Sequence, residues 1–136
     1  MMDRMKPRIL FVDDNADLRE VLVARLTAAG YEVVSAGSGQ EGLELATQTA
    51  FDLVLLDMLM PQQDGIATYH AFRANAPTQT VPVILFTAMA VEGHWEALPD
   101  EQGAPCFVMG KPYDLSLLLA RISQVLQRTA EGSEEV

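Results

Sequence analysis

The chain contains a single cysteine among its 136 residues, and it has no long apolar run. One cysteine, Cys106, excludes an intrachain disulfide, and its place in an apolar stretch favours a buried thiol in a reducing environment. A membrane span requires roughly 18 consecutive apolar residues, and no stretch of the sequence approaches that length. We therefore expect a cytoplasmic protein that is neither secreted nor inserted in a membrane.

Positively charged residues are scarce as well. Nine Lys and Arg residues stand against nineteen Asp and Glu residues, which gives a net charge of −10. A surface of this sign repels phosphate backbones and anionic lipid headgroups. Direct binding to nucleic acid or to a membrane is therefore not expected of this chain.

Five short β-rich runs recur along the chain with helical patterns between them, which is the order of consecutive βαβ units. Most of these runs are apolar without alternation, a pattern typical of parallel strands that helices cover on both faces. The runs are residues 9–12, 31–34, 53–56, 82–86 and 106–109. The sequence thus predicts one α/β domain with a doubly wound, five-stranded parallel sheet.

Four helices are predicted around these strands. Apolar residues at helical spacing place the first helix over 18–26, and Gly30 is a typical residue just past a helix end. A capping box at Ser38 opens the second helix. A third helix is expected over 65–73, and the last begins with Asp114 as its N-cap.

Two further segments fit a helix poorly. Gly93 and Pro99 interrupt the segment 88–103, where we expect a short or distorted helix. Residues 129–136 are acidic and polar without an apolar period, which predicts a disordered tail.

Polar residues follow the ends of four predicted strands. Asp13 and Asp14 follow the first strand, Asp57 the third, Thr87 the fourth and Lys111 the fifth. In open parallel sheets, ligands bind beyond the carboxyl ends of the strands. These five side chains are therefore expected to meet at one rim of the sheet.

Three carboxylates at one rim need a cation among them. At about 4 Å and an effective dielectric constant near 20, each like-charged pair costs on the order of 4 kcal/mol. Magnesium suits such a site, because it binds to one or two carboxylates, to water and to a substrate phosphate. Lys111 adds a compact positive charge. An Asp57 oxygen can then attack phosphorus in line to give an aspartyl phosphate, and the Thr87 hydroxyl can donate to a phosphoryl oxygen.

Together these residues resemble the response-regulator receiver domain of two-component signalling. The pattern comprises Asp13-Asp14 after Ile-Leu-Phe-Val, Leu-Leu-Asp57-Met-Leu-Met-Pro61, Thr87-Ala88 and Lys111-Pro112, and the resemblance covers about residues 7–128. It implies a phosphorelay protein, and not an enzyme, whose Asp57 takes a phosphoryl group from a histidine kinase or a histidine phosphotransfer protein. It also implies the flavodoxin-like strand order 2-1-3-4-5.

The resemblance further implies the ligands of a magnesium ion. Asp14, Asp57 and the backbone carbonyl of Leu59 match its direct ligands, and Asp13 matches a ligand that acts through water. The side chain of Leu59 occupies a position that influences the access of water to the acyl phosphate. A bulky apolar residue there predicts slow self-dephosphorylation.

The same resemblance assigns Thr87 as the switch hydroxyl and Lys111 as the phosphoryl-binding lysine. It also suggests a cis peptide bond between Lys111 and Pro112. Family members bind output partners, or form homodimers, through the surface made by the segment 88–103, the fifth strand and the last helix. The same surface is the expected partner surface here.

The sequence departs from the family near its predicted switch. The aromatic switch residue is expected three positions before Lys111, where this chain has Val108, while Phe107 lies one residue earlier and Gly110 is extra. Either Gly110 forms a bulge that restores Phe107 to the switch position, or the aromatic part of the switch is missing. The adjacent Trp95 can anchor a partner or pack against the domain.

Three alternatives to a phosphorylated signalling domain are a docking module, an enzyme and a flavin binder. A receiver can act as a docking or dimerisation module without phosphorylation, and nothing in the sequence requires this. A haloacid dehalogenase-type phosphotransferase or phosphatase places an Asp-x-Asp pattern after its first strand, but Asp13 is followed here by Asp14-Asn15-Ala16. A flavodoxin-like flavin binder needs a phosphate loop rich in glycine and hydroxyl groups, where this chain has carboxylates.

Overall fold

The computed structural model describes residues 6–60, 63–75, 78–88, 95–97, 104–111 and 114–134. In chain order, the elements are β1 (Arg8–Val12), α1 (Ala16–Ala28), β2 (Glu32–Ala36), α2 (Gly39–Gln48), β3 (Leu53–Asp57), β4 (Leu59–Met60), β5 (Gln63–Asp64), α3 (Gly65–Ala74), β6 (Val83–Thr87), β7 (Trp95–Ala97), β8 (Cys106–Gly110) and α4 (Leu115–Glu134). Among the helices so described, none is long and apolar enough to cross a lipid bilayer.

The central sheet confirms the predicted α/β class. Its strand order is β2-β1-β3-β6-β8-β7, and each pair among the first five is parallel. These five strands have the predicted order 2-1-3-4-5. A separate two-stranded antiparallel ladder, β4 with β5, directly follows β3.

The sixth strand corrects the prediction of a five-stranded sheet. Residues 95–97 were expected within a short helix, but they form β7, which pairs antiparallel with β8. The physical reason is tertiary: β8 would otherwise present an open edge, and Trp95 favours a strand because its ring packs on a β8 side chain. The other residues of this segment, 89–94 and 98–103, lie outside the described residues.

Apolar side chains on both faces of the strands build two core layers. In β1, Ile9 and Phe11 join the layer under α1 and α4, while Leu10 and Val12 join the layer with α3 residues. All four side chains are fully buried. Fully burying such a side chain contributes about 1.5–3 kcal/mol. Because helices cover both faces of the strand, apolar residues are favoured at every position, and polar and apolar residues do not alternate.

Side chains at the helix starts satisfy main-chain donors. Ser38 Oγ accepts from the Glu41 N–H at 3.1 Å, and Asp114 Oδ1 accepts from the Leu117 N–H at 2.6 Å, as predicted. Gly30 follows the end of α1 with a φ of 106°, a conformation that favours glycine. The N-cap of α1 is a residue not singled out in the sequence, Asn15, whose side chain accepts from Leu18.

The last helix differs in length from the sequence expectation. α4 extends to Glu134, so its backbone enters the segment 129–136 where a disordered tail was predicted. It therefore crosses the domain boundary suggested at residue 128. Gly132 is the weakest helix former in this stretch, and helix ends of this kind fray readily.

Candidate functional site

The strand ends bring the predicted acidic residues and the lysine together. Oxygens of Asp13, Asp14 and Asp57 all lie within 4.8 Å of one another. Lys111 Nζ lies 2.9 Å from Asp57 Oδ1. Asp13 and Asp57 are only 2% and 3% exposed, whereas Asp14 is exposed. The site is thus an acidic pocket with one open side.

Three hydrogen bonds fix Asp13 within this pocket. Its N–H donates to the Ala36 carbonyl at 3.1 Å, and its Oδ1 accepts from the Asn15 N–H at 2.9 Å. Its own carbonyl accepts from Arg19 Nη1 at 2.6 Å. The carboxylate position is therefore determined by the turn between β1 and α1.

The electrostatics of the pocket favour a further positive charge. Burial raises the pKa of the Asp13 carboxyl, the Asn15 N–H lowers it, and the negative charge of Asp57 raises it again. Lys111 offsets part of this effect, and Asp14 adds to it. The ionised form of Asp13 is thus disfavoured as the pocket stands, and a bound cation would stabilise it.

Thr87 lies at the same rim as Asp57. Asp57 pairs with Phe86 across the neighbouring strands, and Thr87 is the next residue of β6. Its carbonyl accepts from the Lys111 N–H at 2.8 Å, and its side chain is buried. The adjacent strands β3, β6 and β8 therefore position the aspartate, the threonine and the lysine.

The strand that leads to the lysine runs without a bulge. β8 pairs with β6 in regular register from Cys106 to Gly110, and Gly110 lies opposite Thr87. The hydrogen bond from the Lys111 N–H to Thr87 continues this ladder. The hypothesis of a bulge at Gly110 is therefore wrong, and the extra residue is taken up in the regular strand.

Phe107 is enclosed by an aromatic and cationic stack. It is 4% exposed, and Trp95 of β7 stacks on it with ring centroids 4.9 Å apart and an interplanar angle of 10°. The guanidinium carbon of Arg121 lies 4.8 Å from the centre of the Trp95 ring. Of the two interpretations of Trp95, packing against the domain is the one observed.

Other predicted residues stand as follows. Cys106 is a buried free thiol, as predicted. Leu59 begins β4 and pairs with Asp64, but its role as a carbonyl ligand stays a prediction. The predicted cis bond involves Pro112, which lies outside the described residues.

An apolar groove beside the site is a feature that sequence reasoning missed. It has a volume of about 740 Å³, and it is lined by Leu18, Val21, Leu22, Arg25, Ala88, Lys111 and Leu115. Val21 is 55% exposed. The apolar spacing of α1 assigned this valine to the core. The helix buries only Leu22 and Leu26, so its apolar face is wider than the surface that covers it, and the width of that face is the one sequence signal for an exposed valine.

The chain matches the family described as the response regulator receiver domain over residues 9–123. It is 40% identical over 129 residues to the probable transcriptional regulator ycf27 of Guillardia theta, and this match covers 94% of this chain and 48% of that protein. It is 33% identical over 124 residues to the DNA-binding dual master transcriptional regulator RpaA of Synechocystis sp., with 90% and 50% covered. The chain thus spans about half the length of these curated relatives.

Solved structures share the fold. The chemotaxis protein CheY4 of Vibrio cholerae superposes with a TM-score of 0.74 at 27% identity, covering 88% of this chain and 98% of that chain. The receiver domain of the hybrid histidine kinase CckA gives 0.70 at 33% identity, with the same coverage. A complex of the histidine kinase ThkA with the response regulator protein TrrA gives 0.70 at 28% identity, again covering 88% and 98%. The chain belongs to the response regulator receiver domain family, and is a receiver domain of two-component signalling.

Proposed function

We propose that this receiver is a magnesium-dependent phosphoacceptor whose Asp57 takes a phosphoryl group from the phosphohistidine of a histidine kinase or a histidine phosphotransfer protein. The observation that supports this most directly is the pocket itself. Two buried carboxylates and one exposed carboxylate meet there, and Lys111 bonds to Asp57 at 2.9 Å. A cytoplasmic location fits this role.

The residues of the pocket fit a hard divalent cation. Carboxylate oxygens within 4.8 Å of one another can be shared by one ion, and oxygen donors of this kind are those that magnesium prefers. Asp13, Asp14, Asp57 and the backbone carbonyl of Leu59 would hold it. When bound, Mg²⁺ supplies positive charge that offsets the charge of the phosphoryl oxygens.

The chemistry assigned to the protein is a single displacement. An oxygen of Asp57 attacks phosphorus, an O–P bond forms, the P–N bond of the donor phosphohistidine breaks, and the imidazole leaves. Lys111 orients the carboxylate before attack and stays close enough to stabilise the phosphoryl oxygens. The domain thus modifies itself, and acts as a signalling protein and not as an enzyme.

The signal is then carried by residues next to the site. The Thr87 hydroxyl donates to a phosphoryl oxygen once the group arrives. Because β8 has no bulge at Gly110, Phe107 is not restored to the switch position, and the switch works without its aromatic part. A cis Lys111–Pro112 bond would hold the lysine at the rim. The bulk of Leu59 hinders water, so self-dephosphorylation is slow.

The apolar groove supports docking of the phosphohistidine donor. It opens beside Lys111, which bonds to Asp57, so a donor seated there can present its histidine to the aspartate. The structural relative TrrA forms a complex with a histidine kinase. We assign the groove to a helical donor with an apolar face.

The output of the switch is assigned to a different surface from the groove. The relative RpaA is a DNA-binding regulator about twice as long as the matched region, so the proposed receiver at residues 7–128 would control a further domain or protein. The surface of β7, β8 and α4 is the proposed contact for that output or for a homodimer.

A second candidate is a docking or dimerisation module that works without phosphorylation. One observation favours it: Phe107 is buried beneath Trp95, and a side chain held in this way cannot turn without displacing the stack. The acidic pocket argues against this candidate, because buried carboxylates are costly and a docking domain without phosphorylation does not need them.

Phosphorylation by a small donor separates the two candidates. Incubation with acetyl phosphate and MgCl₂, followed by intact-protein mass spectrometry, is expected to add the mass of one phosphoryl group. The addition should disappear in Asp57→Asn and on chelation of the metal, and it should persist in the matched control Asp17→Asn, which changes an exposed aspartate of α1. An unmodified wild-type chain would favour the docking module.

A further inference from the structure

We infer that Arg19 is a positioning residue for the metal site, because its side chain holds the turn that carries Asp13 and Asp14. This inference rests on the proposed function. It concerns a residue outside the pocket's own set of carboxylates and lysine, and it follows from the contacts of α1 with the two turns beside the site.

The contacts of Asp13 single out this arginine. Two of the three hydrogen bonds that fix Asp13 involve main-chain N–H groups, its own and that of Asn15. The third comes from the Arg19 side chain, whose Nη1 lies 2.6 Å from the Asp13 carbonyl oxygen. Charge-assisted hydrogen bonds are about twice as strong as neutral ones, so this bond is a strong restraint that a side chain of α1 places on the turn.

Arg19 also touches the next turn along the sheet. A β-carbon added to Gly37 would lie 3.2 Å from Arg19 Nη1 and 3.5 Å from its guanidinium carbon. The guanidinium therefore fits between the turn after β1 and the turn after β2, against a glycine that leaves room for it. The Gly37 N–H is itself held by Glu41 Oε1 at 2.8 Å, so this turn is a firm support.

The consequence for the metal follows from geometry. Magnesium demands near-ideal octahedral geometry, so a small shift of one carboxylate costs affinity. Without the guanidinium, the Asp13 carbonyl is free to reorient, and the adjacent carboxylates lose their fixed spacing. Arg19→Met would also remove a half-buried positive charge. A positive charge elsewhere in the molecule would not restore the position of the turn, because it does not bond to the Asp13 carbonyl.

Titration of MgCl₂ into the purified chain by calorimetry tests this. Arg19→Met, which keeps the length of the side chain, is expected to weaken magnesium binding about five- to tenfold, the size of a typical net hydrogen-bond contribution, because the lost bond supports the site indirectly. Arg19→Lys should recover part of the affinity, because one donor and the charge remain. Lys6→Met removes a positive charge at the far end of β1 and should leave the affinity unchanged.

A second substitution tests the contact with the neighbouring turn. Gly37→Ala introduces a β-carbon 3.2 Å from Arg19 Nη1, a contact tight enough that the guanidinium must shift slightly. It is expected to weaken magnesium binding about threefold in the wild-type chain, and to have no further effect in Arg19→Met, since residues in direct contact are coupled. Equal effects in both backgrounds would contradict the proposed contact.

The outcomes separate this inference from the proposed function. If the wild-type chain binds no magnesium and takes no phosphoryl group, the proposed function fails and the inference fails with it. If the wild-type chain binds magnesium but Arg19→Met binds it equally well, only the inference fails. A lower melting temperature of Arg19→Met with unchanged magnesium affinity would likewise overturn it, by showing a merely structural role.

Discussion

Asp13 shows how the pocket is built for a ligand and not for stability. Its carboxylate is 2% exposed and close to two other carboxylates, and burial is the main cause of its raised pKa. A buried charge of this kind is costly unless something opposite in sign is supplied. The site therefore stores an unfavourable arrangement that a cation relieves.

We predict that Asp13→Asn stabilises the metal-free protein at neutral pH, because the amide keeps the acceptor for Asn15 and removes the buried charge. The folded-state pKa of Asp13 lies above its ordinary value of 3.8, so the folded form prefers the protonated acid. Its contribution to stability is present at low pH and is lost as the pH rises through the folded pKa.

The stability difference between Asp13→Asn and the wild-type chain should therefore grow from acidic to neutral pH. Urea unfolding in the presence of a chelator, at several pH values, measures it. With saturating MgCl₂ the order should reverse, since only the wild-type chain gains from the ion. A variant less stable than the wild type at neutral pH without metal would contradict this account.

Single residues also mark the limit of what the sequence could predict. Asp13, Asp57 and Lys111 were predicted to meet because their strands end at the same rim, which depends only on a parallel sheet. Arg73 gave no such signal. It is 2% exposed and donates to the carbonyls of Val81 and Pro105, at 2.6 Å and 3.0 Å, and neither contact follows from local spacing.

The edge of the sheet shows the same limit for a whole element. The five parallel strands were predicted because each is a continuous apolar run, and the helix starts at Ser38 and Asp114 because caps are local. The three residues of β7 have no such pattern. Their strand exists through pairing with β8 and through the stack of Trp95 on Phe107, which no short stretch of sequence encodes.

We predict that Trp95→Ala lowers the free energy of unfolding by about 2 kcal/mol, less than for a fully buried tryptophan, because the ring is half-buried. Arg121→Met should cost about 0.5–1 kcal/mol, which is the typical strength of a cation–π contact near a surface. Trp95→Phe should retain most of the stability, since a ring can still stack.

Urea unfolding followed by far-ultraviolet circular dichroism measures these changes, because Trp95 is the only tryptophan and fluorescence is lost with it. The double variant Trp95→Ala with Arg121→Met should lose less than the sum of the single losses. Strict additivity would mean that the arginine and the ring do not interact.

The charge of the whole molecule gives the groove a distinct character. The chain carries a net charge of −10, yet two of the groove's lining residues, Arg25 and Lys111, are positive. Its floor is apolar, with Val21 of α1 exposed at its edge. A partner that combines an apolar helix with acidic flanks would match this surface, while the rest of the molecule would repel it.

We predict that Val21→Glu slows phosphotransfer from a protein donor about tenfold, because it places a charge in an apolar contact, which typically costs 1–2 kcal/mol at an interface. Stability should change by less than about 0.5 kcal/mol, since the residue is largely exposed. Phosphorylation by acetyl phosphate should be unchanged, because that donor needs no groove.

The measurement uses an autophosphorylated histidine kinase that phosphorylates the wild-type chain, and compares its rate with that of acetyl phosphate for each variant. Thr47→Glu is the matched control, since it adds the same charge to an exposed position of α2 on the other side of the sheet. An equal loss with both donors would show that Val21 acts through the pocket, whereas a loss with the kinase alone assigns α1 to recognition of the donor.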